Sequence, residues 1–306
     1  MLRRHYKKKS SGFKQWEQKE HAEDYLVFPD NIGEHLSIDE VALSKGELYT
    51  FITNKNGRGK KGSLVASVKG TLSANIIQVL EKIPLEQRNK VKEVTLDMAK
   101  NMESSARTCF PMANLVTDRF HVVRLALEAL QHIRVNQRWV ELDMENKAIE
   151  AAKKNGVRYK APLLPNGDTP KQLLARCRYV FAKKKADWTQ SQEQRANIAF
   201  ENYPDLKKAY DHVLGFRLIY ESNTKISAEK KFAEWINKTH EMETKEFLTV
   251  ANTVSNHMSN ILNFFDNRST NANAESFNSK IKLFRANLRG VVDTRFFLFR
   301  LSKLFA

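Results

Sequence analysis

Five short runs rich in β-branched and apolar residues do most to limit what this chain can become: HLSIDEVALS, ELYTFITNK and SLVASVKG in succession, then VKEVTLDM and ANLVTD. The first two are joined by the dipeptide KG, which reads as a hairpin, and the third follows the loop NGRGKKG, so the three predict an antiparallel meander. Leu72, Ile76, Val79, Leu80 and Ile83 recur at helical spacing before the fourth run, and helices are expected again at Ala99 to Cys109 and from RFHVVRLALEAL onward. The order β-β-β-α-β-α-β-α predicts an α/β fold. A five-stranded mixed sheet in the order 3-2-1-4-5, with helices on both faces, satisfies right-handed crossovers.

From about 136 to 265 the strand signal stops, and amphipathic segments such as KQLLARCRYVFAKKKADWTQSQEQRANIAF follow, broken only by the loop APLLPNGDTP. This predicts an all-helical insertion, in which aromatics such as Tyr179, Trp188, Tyr210, Phe216, Tyr220 and Trp235 serve mostly as packing. The expected divisions are a basic N-terminal arm over 1–33, the first part of the core over 34–135, the insertion over 136–265, and a closing helical region over 266–306.

Charge narrows the function. With 51 Lys+Arg against 35 Asp+Glu, a formal net charge of +16 points to a polyanionic partner, nucleic acid by default. Cys109 and Cys177 are too far apart for a zinc ribbon, and no apolar window suits a signal peptide or membrane span, so a cytoplasmic, nucleoid-associated protein is expected.

Against that basic background, several carboxylates fall at strand ends. Asp39 lies in the first strand and Asp97 at the end of the fourth, which the expected order makes neighbours. In the segment STNANAESFNSKIKLFRANLRG, Phe277, Ile281, Phe284 and Leu288 form one helical stripe. Glu275, Asn278, Lys282, Arg285 and Arg289 form the opposite one. Two strand-end aspartates and a helical glutamate can hold two Mg²⁺ or Mn²⁺ ions about 3.5–4 Å apart for in-line phosphoryl displacement. Taken singly, each acid also reads as a turn former, a cap or a complement to a helix dipole. The gaps of 58 residues (97 minus 39) and 178 residues (275 minus 97), the second containing the insertion, match the layout of an RNase H-like nucleotidyl transferase.

VTLDMAKNMESSARTCFPMANLVTDRFHVVRLALEALQHIR, together with the late STNANAESFNSKIKLFRANLRG, resembles the DDE domain of bacterial insertion-sequence transposases of the ISL-three branch. The matching pieces are Asp97-Met98, Phe110-Pro111 with Ala113, Asp118 to Val122, and Asn271, Glu275, Asn278, Ile281, Lys282, Arg285 and Gly290, with Ile38 to Glu40 matching the first-strand motif. The resemblance implies Asp39, Asp97 and Glu275 as the metal-binding triad, with two Mg²⁺ or Mn²⁺ ions. It implies Asp118 and His121, at the spacing of a Cys-or-Asp and His pair in related transposases, as accessory groups beside Asn278, although Asp118 also suits a helix N-cap. Phosphate contacts are expected from the arm RRHYKKK, from Arg58, Lys60 and Lys61, and from Lys282, Arg285 and Arg289, which position DNA without reading its sequence.

Family members usually begin with zinc-binding and helix-turn-helix segments, whereas this sequence reaches its first catalytic strand by about residue 35. Either a separate protein supplies end recognition, as the resemblance to split, two-frame members implies, or this is a truncated copy. The expected partners are that end-recognition protein, double-stranded DNA as substrate and a second copy across paired ends, as a homodimer. Two alternatives stay open: another RNase H-like nuclease, and a transposase-derived DNA-binding protein that has lost catalysis.

Overall fold

The computed structural model describes residues 6–44, 46–288 and 290–306. The chain divides into two compact units, one formed by 1–121 with 257–306 and the other by 122–256.

The first unit is built on one sheet. Its strands are β1 (Tyr25–Val27), β2 (His35–Ser44), β3 (Glu47–Asn54), β4 (Leu64–Lys69), β5 (Glu93–Leu96) and β6 (Asn114–Thr117), in the order β1-β4-β3-β2-β5-β6. The expected count of five therefore needs correction, and the order changes by the added strand: β2 to β6, the five runs read from sequence, keep the 3-2-1-4-5 arrangement, and β1 stands outside β4. Tyr25–Val27, inside the segment read as a basic arm, pairs antiparallel with β4 and extends the sheet by an edge strand. Three residues are too few to show an alternating pattern, so the sequence carried no readable sign of it. The same segment buries Phe13 against Phe296 and Phe299, with ring centroids 5.2 and 5.3 Å away.

Side-chain alternation in β2 assigns the two faces. Leu36 and Ile38 join a cluster with Ile52, Ala66, Val94, Leu96 and Leu115, covered by α1 (Ser73–Leu80) and by the helix Lys100–Cys109. Val41 and Leu43 point the other way, joining Tyr49, Phe51 and Leu64 beneath Phe277 and Ile281 of helix Ala272–Asn287 and Phe297, Leu298 and Leu301 of helix Thr294–Phe305. Pro84 splits the first predicted helix: α1 stops at Leu80, and a single turn, Leu85–Arg88, follows. Both cysteines are buried and free, and burial pushes their thiols up to about 11 at Cys109 and about 12 at Cys177.

The second unit is helical. The long helix Arg119–Lys154 enters it, and Pro170–Arg176, Gln190–Asn202, Pro204–Ile219, Lys225–Met242 and Lys245–Asn256 follow. Thr189 opens its helix with a capping box closed by Gln192, and Gln172 reaches back to accept the Thr169 N–H at the start of its own helix. Aromatics fill its core: Phe181 stacks on Phe200 at 5.3 Å and His212 on Trp235 at 4.4 Å. Tyr179 departs from the expected packing role, being 69% exposed with the Arg178 guanidinium over its ring.

Candidate active site

Pairing register decides which acids meet. β2 and β5 run parallel with His35 opposite Glu93 and Ser37 opposite Thr95, an offset of 58. β5 and β6 run parallel with Glu93 opposite Asn114 and Leu96 opposite Thr117, an offset of 21. The same offsets set Asp39 level with Asp97 (39 plus 58) and Asp97 level with Asp118 (97 plus 21). The Asp118 N–H, donated to Leu96 O at 2.9 Å, extends the second ladder to that level. Val94 and Leu96 face the α1 side, so Thr95 and Asp97 face the opposite side, as Asp39 does. Three aspartates thus stand in a row across three neighbouring parallel strands: Asp39 inside β2, which runs on to Ser44, and Asp97 and Asp118 just past the ends of β5 and β6.

Helix Ala272–Asn287 crosses this face because Phe277 and Ile281 are buried on it, Phe277 edge-on to Phe51 at 5.7 Å. Anchoring that stripe aims a second one, Asn271, Glu275 and Asn278, at the acids. The Asn271 N–H donates to Asp118 Oδ1 at 3.2 Å, and Asn278 Nδ2 donates to Asp39 Oδ2 at 2.6 Å. Asp39 Oδ1 accepts the Glu40 N–H at 2.8 Å, and Asp97 Oδ1 accepts the Ala99 N–H at 2.8 Å. Asp118 uses one carboxylate oxygen, Oδ1, for the Asn271 N–H. Its other oxygen is buried without a hydrogen-bond partner, 3.9 Å from His121 Nε2.

The electrostatics record the crowding. Burial raises the Asp39 carboxyl, and the negative charge of Asp97 adds to the rise, against the Glu40 N–H, the His121 charge and the Asn278 amide. Glu275 is likewise raised by burial and then by Asp118 and Asp39, with His121 opposing. Glu40, quoted in the first-strand motif but given no role from sequence, is raised by burial, Asp97 and Asp39.

Donor chemistry suits a hard divalent cation: carboxylate oxygens dominate, and among the described residues the Oδ1 atoms of Asn271 and Asn278 are buried acceptors with no partner, as is Asp118 Oδ2. Among the described residues, no group of three or more His, Cys, Asp and Glu side chains gathers closely enough to hold an ion.

Below the acid row, on the same face, lies a feature the sequence did not flag. Lys55 Nζ donates to Glu93 Oε1 at 2.9 Å and also to Thr95 Oγ1, and both charged side chains are nearly buried. Burial alone would raise the Glu93 carboxyl, but hydrogen bonds from Ser269 and Lys55 hold it below the usual range. The available signal was parity: Glu93, Thr95 and Asp97 alternate onto one face, so Glu93 had to be charged inside the core.

The expected phosphate contacts separate. Arg58, Lys60 and Lys61 are exposed on the loop after β3 and pair with no carboxylate among the described residues. Lys282 is exposed on the helix, whereas Arg285 is half-buried and donates from Nη1 to the carbonyls of Ala42 and Leu43, each at 2.9 Å. Arg289 and the first five residues of the arm lie outside the described residues. Lys7 of the arm pairs with Asp293 and lies over the Phe13 ring.

A mixed α/β domain with three aspartates level across adjoining parallel strands defines the class, and comparison with known proteins gives the family. A family model described as a transposase, of the DDE type and the ISL3 branch, matches residues 36–301, and the chain belongs to that family. A curated relative, the transposase for insertion sequence element IS1001 of Bordetella parapertussis, is 30% identical over 106 residues, 34% of this chain and 25% of that protein. The aligned part thus spans about a quarter of that relative's length. No solved structure matches. Among the described residues no helix is long and apolar enough to cross a membrane.

Proposed function

We propose that this chain is the catalytic part of a DDE transposase with an RNase H-like fold. In this reading Asp39, Asp97 and Glu275 hold two Mg²⁺ or Mn²⁺ ions while the protein cuts insertion-sequence ends and joins the freed 3′-OH to target DNA. The observation that carries it is the shared level of Asp39, Asp97 and Asp118 on three parallel strands, with Glu275 on the helix crossing the same face. When bound, such ions supply the positive charge that lets carboxylates face a phosphodiester and favours in-line displacement.

The chain's own groups have separable tasks. Asn278 fixes the Asp39 carboxylate, and Asp118 ties the start of the Glu275 helix to the end of β6. His121, beside Asp118, is assigned to orient a phosphate oxygen. Arg58, Lys60, Lys61 and Lys282 contact DNA phosphates, and Arg289 is assigned there from sequence alone. The partners in this reading are double-stranded DNA on the nucleoid, a second copy across paired ends, and a separate protein for end recognition.

The test is cleavage and strand transfer on DNA carrying the flanking element ends, with Mg²⁺ or Mn²⁺ and with the upstream-encoded protein supplied. Wild type should nick in a metal-dependent way. Asp39→Asn, Asp97→Asn and Glu275→Gln should each abolish nicking while binding persists, and Asp118→Asn should only weaken it. A wild type that binds but never cleaves, and whose binding ignores all four changes, would instead be a DNA-binding module.

A further inference from the structure

We infer that a polar cleft on the far flank of the Glu275 helix is a second phosphate subsite. It would hold the DNA backbone within about four nucleotides of the scissile phosphate, and it rests on the reading above for its substrate class.

The cleft has a volume of about 770 Å³ and is lined by His35, Lys55, Arg58, Lys60, Asn267 and Asn273 among others, with no carboxylate in its wall. In a protein with 35 acidic residues, an acid-free wall bearing Arg58 and Lys60 is an anion-binding surface. Lys55 is its floor rather than a free cation, since its ammonium is held by Glu93 and Thr95.

The backbone of the loop that carries its cations is held in place before any ligand arrives. The loop turns through Arg58 at φ 49° and Gly59 at φ 64°, both left-handed. At Gly57 a Cβ would lie 2.4 Å from Ser63 Oγ and 2.7 Å from the Ser63 Cα, so only glycine fits this path. The helix then pins the loop twice: Asn273 Nδ2 donates to Lys55 O at 3.2 Å, and Lys280 Nζ donates to Gly59 O at 2.6 Å. Asn273 and Lys280 lie two turns apart on one side of the helix. Asn271 and Asn278, which hold Asp118 and Asp39, lie two turns apart about 200° of rotation away. One helix therefore fixes the acid row on one flank and the cationic loop on the other.

Spacing follows from the strands. His35 at the cleft and Asp39 in the acid row are four residues apart on β2, roughly 13 Å at strand rise. At about 3.4 Å of rise per nucleotide, that separation corresponds to at most about four nucleotides. Between the two flanks the helix exposes Ala272, Ser276 and Ser279, side chains short enough for a backbone to pass over.

The test is fluorescence anisotropy of the full chain with a 30-base-pair duplex in EDTA, titrated with salt, so that binding is read apart from cleavage. Arg58→Ala with Lys60→Ala should lower the slope of log K against log salt by about 2, and should weaken binding on the order of 60-fold at 0.1 M salt. The charge-conserving pair Arg58→Lys with Lys60→Arg should keep the wild-type slope, and Lys230→Ala with Lys231→Ala serves as the charge-matched control. A neutral methylphosphonate, scanned along a cleavable end, should weaken wild type within four nucleotides of the cut and leave the double variant unaffected there. Should the double variant melt early, Lys60→Ala alone should lower the slope by about 1. A slope equal to that of the control overturns the subsite. Cleavage without this slope change would sink the subsite alone, while the slope change without any cleavage would sink only the transposase reading.

Discussion

Neutralising Asp39 should make the metal-free protein more stable and catalytically dead. Adjacent strands lie about 4.8 Å apart, and two unit charges at that distance in an effective dielectric near 20 repel by about 3.5 kcal/mol. Burial of the half-buried Asp39 carboxylate weighs more than this repulsion in raising it, while the Glu40 N–H and His121 offset the rise, so about 1–2 kcal/mol of relief in all is expected from Asp39→Asn at pH 7. The asparagine oxygen can accept either the Glu40 N–H or the Asn278 amide but not both, which limits the collateral loss to one of the two bonds Asp39 accepts. In a unit of this size the gain corresponds to a rise in Tm of roughly 2–8 °C. The pH dependence has a definite sign. A carboxyl raised on folding favours the folded chain while protonated, so its contribution is complete below its unfolded value of 3.8 and is lost as pH rises through the folded one. Asparagine stays neutral throughout, so the difference in Tm should be positive at pH 7 and vanish near pH 3. Mg²⁺ should raise the Tm of wild type and not that of the variant. Differential scanning calorimetry in EDTA, at both pH values and then with Mg²⁺, measures all three. A lower Tm for Asp39→Asn at pH 7, or a gain persisting at pH 3, would refute the repulsion argument.

Three further outcomes are expected. Lys55→Met should cost about 3–5 kcal/mol in urea unfolding, because it strands the buried Glu93 carboxylate, and adding Glu93→Met should recover much of that loss. Arg285→Ala should destabilise by about 1–3 kcal/mol through its lost carbonyl bonds and leave the salt slope of DNA binding unchanged, whereas Lys282→Ala should do the reverse. His212 is buried against Trp235, and burial lowers its pKa from 6.5 to about 4. The unfolded chain therefore takes up the proton first, and stability falls by about 3 kcal/mol as pH drops from 6.5 to 4. His212→Gln should flatten that interval in thermal melts followed by circular dichroism.

Much of this protein is legible along the chain. The apolar runs of β2 to β6 and the stripe of Phe277 and Ile281 announce themselves because alternation and helical period are local properties, written by burial on one side of each element. The family motif likewise lies in consecutive residues. What the sequence could not contain is register. Nothing local says that β2 pairs with β5 at an offset of 58 and β5 with β6 at 21, yet those two numbers bring Asp39, Asp97 and Asp118 level. Nor could it show that Arg285 is tied to two strand carbonyls through Nη1 while Arg58 is exposed, since an arginine on a polar stripe looks the same in either case. The edge strand Tyr25–Val27 and the buried Lys55–Glu93 pair belong to the same category. Each exists because residues remote in the chain satisfy one another's hydrogen bonds or charge, and the energy of such a contact resides in the pair and not in either residue's own stretch of sequence.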